Sequence, residues 1–228
     1  MVTIVIPVHN AIECTARLLD QLKQTEAADV AQILVDDASD RETHDVLVKY
    51  VSEVPNASLL VNDRQQLFTR TLNRGIRAAQ PDTTAIVEIN TDCQVKPGFL
   101  QALVDCFNRH PDSAIVGYNN YTPTEGEDLE AIYPAVQDHP DYITGHCILI
   151  PMDVIRDIGV FCETDYSQAH ISSERLWCWK AALQGYKMWY LNSNLCIHDE
   201  GGPSWGRNVA WLFYKFDYST LWPGRDTL

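Results

Sequence analysis

The chain has 228 residues, 46% of them hydrophobic, enough to fill a core without disulfide or metal staples. Its formal net charge of −14 argues against unaided binding to nucleic acid or anionic lipid, which rests on neutralising phosphate with Lys and Arg. No run of 18 or more uncharged apolar residues occurs, so no membrane-spanning helix is expected. The opening residues 1–7 lack the basic region and cleavage site of a signal peptide and read as a first strand. The seven cysteines are scattered singly, without a Cys-x-x-Cys pair, so neither a zinc site nor a disulfide framework is expected. A reducing cytoplasm is the compartment that fits.

Along the chain, residues 3–7 form a strand pattern, and Asn10 with Glu13 then offers a helix cap. Ile12, Ala16, Leu19 and Leu22 stripe that helix. Residues 32–35 are a second strand, followed by Ser39-Asp-Arg-Glu42, a capping-box pattern opening a second helix. A third strand at 58–61 precedes a helix marked by Phe68, Leu72, Ile76 and Ala79. A fourth strand at 84–89 leads to a helix starting at Pro97, and residues 114–117 give a fifth strand. Four β-α units in order predict an α/β fold with a mostly parallel central sheet and helices on both faces. Beyond these, residues 119–141 read as a long acidic loop, 143–151 as a strand, and the segment through Ile158 as a short helix ended by Gly159. A helix at 174–184 should stop at Gly185, edge strands are expected at 187–190 and 195–198, and a last helix at 207–218. No repeat or linker divides the chain, so a single domain with two functional halves is expected.

The stretch 84–92 carries the most chemistry. An apolar run ends abruptly in Asn90-Thr91-Asp92, and open α/β sheets place ligands at the carboxyl ends of their strands. A lone carboxylate there suits Mg²⁺ or Mn²⁺, which take one or two carboxylates and complete their shell with phosphate oxygens and water. All six Trp lie late in the chain, from Trp177 to Trp222. Trp205, in a Gly-rich turn that cannot bury much, is the one best suited to stacking on a sugar ring.

Taken together, Val2-Thr-Ile-Val-Ile-Pro-Val-His-Asn10, Leu34-Val-Asp-Asp-Ala-Ser39 and Asn90-Thr-Asp92 resemble family 2 glycosyltransferases of the GT-A fold. Gln66 to Ile76, with its Asn-Arg-Gly-Ile ending, Asn90 to Leu100, Thr144 to Pro151 and Ile158-Gly-Val-Phe161 are similar to further family segments in the same order. The likeness runs from about residue 2 to about residue 216 of the sequence. It implies a three-layer α/β/α domain that moves a sugar from a nucleotide-diphosphate donor to an acceptor hydroxyl with inversion. UDP- and dTDP-hexoses are the donors expected.

The resemblance also implies roles. Asp36 and Asp37 would hold the donor's base and ribose, a carboxylate accepting an imide N–H or a ribose hydroxyl. Pro7 and His9 would form the neighbouring wall, and Arg70 would face the base or phosphates. Asp92 and His198 would ligate Mn²⁺ or Mg²⁺, neutralising charge on the departing diphosphate. The family's fuller motif has an acid at the position of Asn90, which here would touch ribose or water. Glu174 would be the general base. The family shows an acidic pair there and a third acid nearby, whereas this chain reads Ser173-Glu174-Arg175. Asp165 or an acid of 119–141 could instead serve, or the acceptor site could be altered or inactive. Gly201, Gly202, Gly206, Arg207, Asn208 and Lys215 resemble a closing lid over the donor.

The expected organisation is therefore one GT-A domain, with a donor half at about 1–118 and an acceptor half plus lid at about 119–228. The acceptor would be a glycan or another hydroxyl compound, soluble or met at a membrane surface through partners. A non-catalytic nucleotide- or sugar-binding module and a nucleotidyltransferase are the rivals. The latter would need a basic, Gly-rich phosphate loop after the first strand, where Pro7-Val-His-Asn10 stands. A Rossmann dehydrogenase is weaker, since no Gly-x-Gly-x-x-Gly follows that strand.

Overall fold

The computed structural model describes residues 1–118, 130–132, 143, 145–163 and 172–199; at 130–132, 172, 175 and 179 only the backbone is considered. Strands β1 (Val2–Val8), β2 (Ala31–Asp36), β3 (Ala57–Val61) and β4 (Ala85–Ile89) alternate with helices α1 (Ile12–Lys23), α2 (Arg41–Glu53) and α3 (Phe68–Ala78). A short strand β5 (Cys93–Val95), helix α4 (Phe99–Arg109) and β6 (Ser113–Tyr118) follow. Then come β7 (Glu130–Ile132), β8 (Cys147–Pro151), α5 (Met152–Ile158), α6 (Ser172–Leu183), β9 (Lys187–Leu191) and β10 (Cys196–His198).

Eight strands form one sheet in the order β3-β2-β1-β4-β8-β6-β9-β7. Strands β1 to β4 are mutually parallel, and β8 runs antiparallel between β4 and β6. Strand β9 pairs parallel to β6, so the sheet is mostly parallel. The period-2 alternation of strands divides the core. Ile4, Ile6, Leu34, Val87 and Leu149 face α1, α2 and α4, while Val5, Ile33, Ile86, Ile148 and Ile150 face α3, α5 and α6. Three layers, α/β/α, result. Helix α3 lies hard against the sheet because Gly75 has no side chain: a Cβ there would stand 2.3 Å from Val5 Cγ1.

Several expectations shift. Asn10 does not cap α1; both it and Ala11 have left-handed backbones (φ 58° and 56°), and α1 begins without a side-chain cap. The cap of α2 is Asp40 rather than Ser39, its carboxylate accepting from Thr43 N–H at 2.9 Å. Ser39 is used elsewhere, its hydroxyl accepting from Asn10 N–H. Helix α4 begins at Phe99, not Pro97. The carboxylate of Glu26 accepts from the N–H groups of Gly98 and Leu100 at 2.9 Å each. Burial alone would raise the Glu26 pKa, but these backbone donors outweigh it and hold it low. The strand expected at 143–151 is confined to Cys147–Pro151, because the chain turns at Gly145-His146. Within the presumed acidic loop, Glu130–Ile132 pairs antiparallel with β9. The terminators Gly159 and Gly185 stand where expected, at φ 88° and 86°. No helix among the described residues is long and apolar enough to cross a membrane.

Candidate active site at the carboxyl edge of the sheet

Strands β1, β2 and β4 all end on one edge, and the loops that leave them are unusually constrained. Every described non-glycine residue with a positive φ lies there: Asn10, Ala11, Ala38 and Leu67. Leu67, at φ 67° and ψ 167°, occupies a region used essentially by glycine alone. Such backbones persist only where surrounding bonds over-determine them, and they gather at functional sites.

Asp37 supplies those bonds. It is 2% exposed, and its carboxylate accepts from Asn62 Nδ2 at 2.7 Å, Gln66 N–H at 2.6 Å and Leu67 N–H at 2.8 Å. Its own carbonyl oxygen meets His9 Nδ1 at 2.8 Å. Asp36 is equally engaged, with Ser39 N–H and His44 Nδ1 on its two oxygens at 2.8 and 2.7 Å. Both acids therefore build the loops of this edge. Pro7 is buried on β1, and His9 is exposed at the rim. Arg70, in the first turn of α3, is half-buried and makes no hydrogen bond or ion pair with any described residue.

Asp92 and His198 come together across 106 residues of sequence: Asp92 Oδ1 lies 3.1 Å from His198 Nε2, both side chains almost buried. The two-stranded ribbon of β5 and β10 makes this possible. Its register sets His198 opposite Cys93, and Asp199 N–H donates to Asp92 O at 3.0 Å. Asp199 in turn accepts from Gln94 Nε2 at 2.5 Å and pairs with Arg17 of α1. The bracing by Arg17, Gln94 and Asp199 is not legible in the sequence, because a three-residue strand pairing a hundred residues away leaves no periodic signal. The 3.1 Å separation is that of a hydrogen bond; adjacent ligands of an octahedral cation at about 2.1 Å stand about 3 Å apart, so the pair could exchange this bond for a shared ion without moving apart. No group of three or more His, Cys, Asp or Glu among the described residues converges as a metal cage. A Mg²⁺- or Mn²⁺-type site completed by phosphate does not need one.

Glu174 lies near the first turn of α6, 5% exposed. Burial pushes its pKa up to about 7, against smaller opposing effects of backbone and Ser173 hydrogen bonds. Ser173 Oγ donates to Glu174 Oε2 at 3.1 Å. Glu88, in the middle of β4, was read simply as part of an apolar strand. It is fully buried, and neither carboxylate oxygen has a hydrogen-bond partner among the described residues. Burial, with the charges of Glu174 and Asp92 adding to it, raises its pKa well above the usual carboxylate range. An acid inside an otherwise apolar strand was the signal available. On α3, Asn73 grips the segment beyond α5: its Nδ2 donates to Phe161 O at 2.7 Å and Glu163 Oε1 at 2.8 Å, and its Oδ1 accepts from Phe161 N–H. Asp165, Trp205, the acids between 119 and 129 and between 138 and 141, and the lid residues Gly201, Gly202, Gly206, Arg207, Asn208 and Lys215 lie outside the described residues.

Solved structures share this architecture. The mannosyltransferase PcManGT from Pyrobaculum calidifontis, in complex with GDP-Man and Mn²⁺, superposes with a TM-score of 0.67 at 16% identity, over 90% of this chain and 59% of that one. Residues 1–349 of S. aureus TarS, in complex with UDP-GlcNAc, give 0.68 at 15% identity, over 91% of this chain and 61% of that one. The chain thus spans about three-fifths of the length of either structure. These likenesses establish the GT-A type of α/β fold. No curated protein sequence matches the chain significantly. The family model for glycosyl transferase family 2 matches residues 3–158, which span β1 to α5 and include Asp36, Asp37, Asn90 and Asp92, and the chain belongs to that family.

Proposed function

We propose that this chain is an inverting glycosyltransferase that moves a sugar from a nucleotide-diphosphate donor, UDP- or dTDP-linked, to an acceptor hydroxyl. The observation that carries the reading is the apposition of Asp92 and His198 at 3.1 Å on the sheet edge where the constrained loops gather. Mn²⁺ or Mg²⁺ held by these two side chains would neutralise charge building on the leaving diphosphate. The donor's base and ribose would lie over Pro7, His9 and the Asp36-Asp37 loop, read by whatever acceptor capacity those carboxylates retain. Arg70, a half-buried cation without a partner among the described residues, would face the base or phosphates. Glu174 would take the acceptor's proton, since a carboxyl with a pKa near 7 is poised for that task at neutral pH. The Mn²⁺ and nucleotide sugars bound by the structural neighbours support this assignment.

In this reading one domain holds both substrates, residues up to about 118 serving the donor and the rest the acceptor, a glycan or other hydroxyl compound. A reducing cytoplasm suits its free thiols. Any meeting with membrane-borne acceptors would go through partners.

The test is a thermal-shift and calorimetric screen of UDP-, dTDP- and GDP-sugars with and without Mn²⁺. Wild-type chain should bind one of them in a Mn²⁺-dependent manner. Asp92→Ala should remove that dependence and lower turnover by about 10³-fold. Unchanged metal-dependent binding in this variant would refute the site.

A further inference from the structure

The chain departs from the family's acidic pattern at two places, Asn90 and the Ser173-Glu174-Arg175 segment, and the structure joins them. Asn90 follows β4 and grips the turn that precedes β8 at two consecutive carbonyls. Its side-chain Nδ2 donates to Gly145 O at 2.9 Å, and its backbone N–H donates to His146 O at 2.9 Å. Only a donor fits the first of these contacts. A carboxylate in place of the amide would set two oxygens against each other.

The held turn is also the surface on which Glu174 rests. Gly145 has no side chain, and a Cβ built there would lie 2.7 Å from Glu174 Oε1, 2.9 Å from its Cγ and 3.2 Å from its Cδ. The carboxylate therefore lies directly on the α-carbon of Gly145. The Ser173 hydroxyl bonds the second carboxylate oxygen, Oε2, at 3.1 Å. Moving the turn by a few tenths of an ångström would move Oε1 with it.

We propose that Asn90 is a positioning residue for Glu174, acting through the Gly145 backbone, rather than a ligand of metal or ribose. The inference rests on the reading of Glu174 as the base. An acid at 90 would loosen the turn under Glu174, so an amide there and a lone glutamate on α6 form one matched device. The same logic gives Gly145 a part, since a Cβ there would force the Glu174 carboxylate to shift.

The test is a double-mutant cycle on turnover, read as nucleoside diphosphate released in Mn²⁺ from the nucleotide sugar that wild type binds, with water or a hydroxyl compound as acceptor. Asn90→Asp and Gly145→Ala should each lower kcat by about 10- to 100-fold while donor KM and donor affinity stay within about twofold. In a Glu174→Gln background neither change should lower the residual rate further. Equal losses in both backgrounds, or a loss of donor affinity with Asn90→Asp, would overturn the proposal. Wild-type turnover in Glu174→Gln alone would instead remove the base reading and this inference with it. Gly145→Ala leaves the Asn90 side chain in place, so a folding defect peculiar to Asn90→Asp does not blunt the test, and thermal melting of each variant identifies one.

Discussion

The two sides of the proposed site are built on opposite electrostatic plans. On the proposed donor side, Asp36 and Asp37 are buried with every carboxylate oxygen already hydrogen-bonded, to backbone N–H groups, an amide and an imidazole. On the proposed acceptor side, Glu88 has no hydrogen-bond partner among the described residues, and burial keeps the Glu174 pKa raised despite the Ser173 hydroxyl and a backbone hydrogen bond. A carboxylate bonded on both oxygens fixes backbone; a sparsely bonded buried one keeps a raised proton affinity. The first arrangement stabilises the fold, and the second lowers stability in exchange for reactivity.

The contrast can be broken most severely at Glu174. Glu174→Gln should lower turnover by about 10²–10⁴-fold with donor affinity nearly intact, and loss of donor binding instead would move Glu174 to the wrong side of the cleft. In wild type, kcat/KM should rise with pH through about 7 as Glu174 ionises, a limb absent from the variant. Next in size, Asp37→Ala removes three hydrogen bonds and frees the backbone at Leu67. Urea unfolding should show a loss of about 3 kcal/mol, and a change under about 0.5 kcal/mol would mean that the loop holds itself. The smallest expected effect has the opposite sign. Glu88→Met should stabilise the chain by about 1–2 kcal/mol at pH 5, as apolar packing replaces a carboxyl with no hydrogen-bond partner among the described residues.

The pH dependence sharpens the last point. Glu88 and Glu174 both have folded pKa values raised above their unfolded ones. At pH above about 4.5 the unfolded chain releases protons that the folded chain keeps, so both groups make stability fall as pH rises. For Glu174 the fall ends near pH 7; for Glu88 it continues higher. Each contributes a slope of about 1.4 kcal/mol per pH unit inside its window. Glu88→Met should remove one of the two slopes between pH 5 and 7, and identical profiles in the two proteins would show that Glu88 is not held neutral.

What the sequence makes legible here follows physical range. Apolar runs of four to seven residues mark β1, β2, β4 and β6, and Gly159 and Gly185 mark helix ends, because these signals are local. Helix starts were displaced by a residue or two, since Ser39, Asp40 and Asn10 compete for the same backbone donors and tertiary bonds decide among them. The ribbon of β5 and β10 is too short for periodicity to reveal, so the bracing of His198 by Asp199, Gln94 and Arg17 was out of reach. The acids of the candidate site were found through motif order. Their saturation or isolation depends on neighbours such as Asn62, Leu67 and Gly145 that no spacing rule connects to them.

Helix α3 is fastened at two stations. The turn leading into it hangs from Asp37, and Asn73 in its middle is bolted to Phe161 beyond α5. It therefore works as a tie rod between the Asp37 loop and the segment that follows α5. A mutation that lets this rod slip would spoil both grips at once.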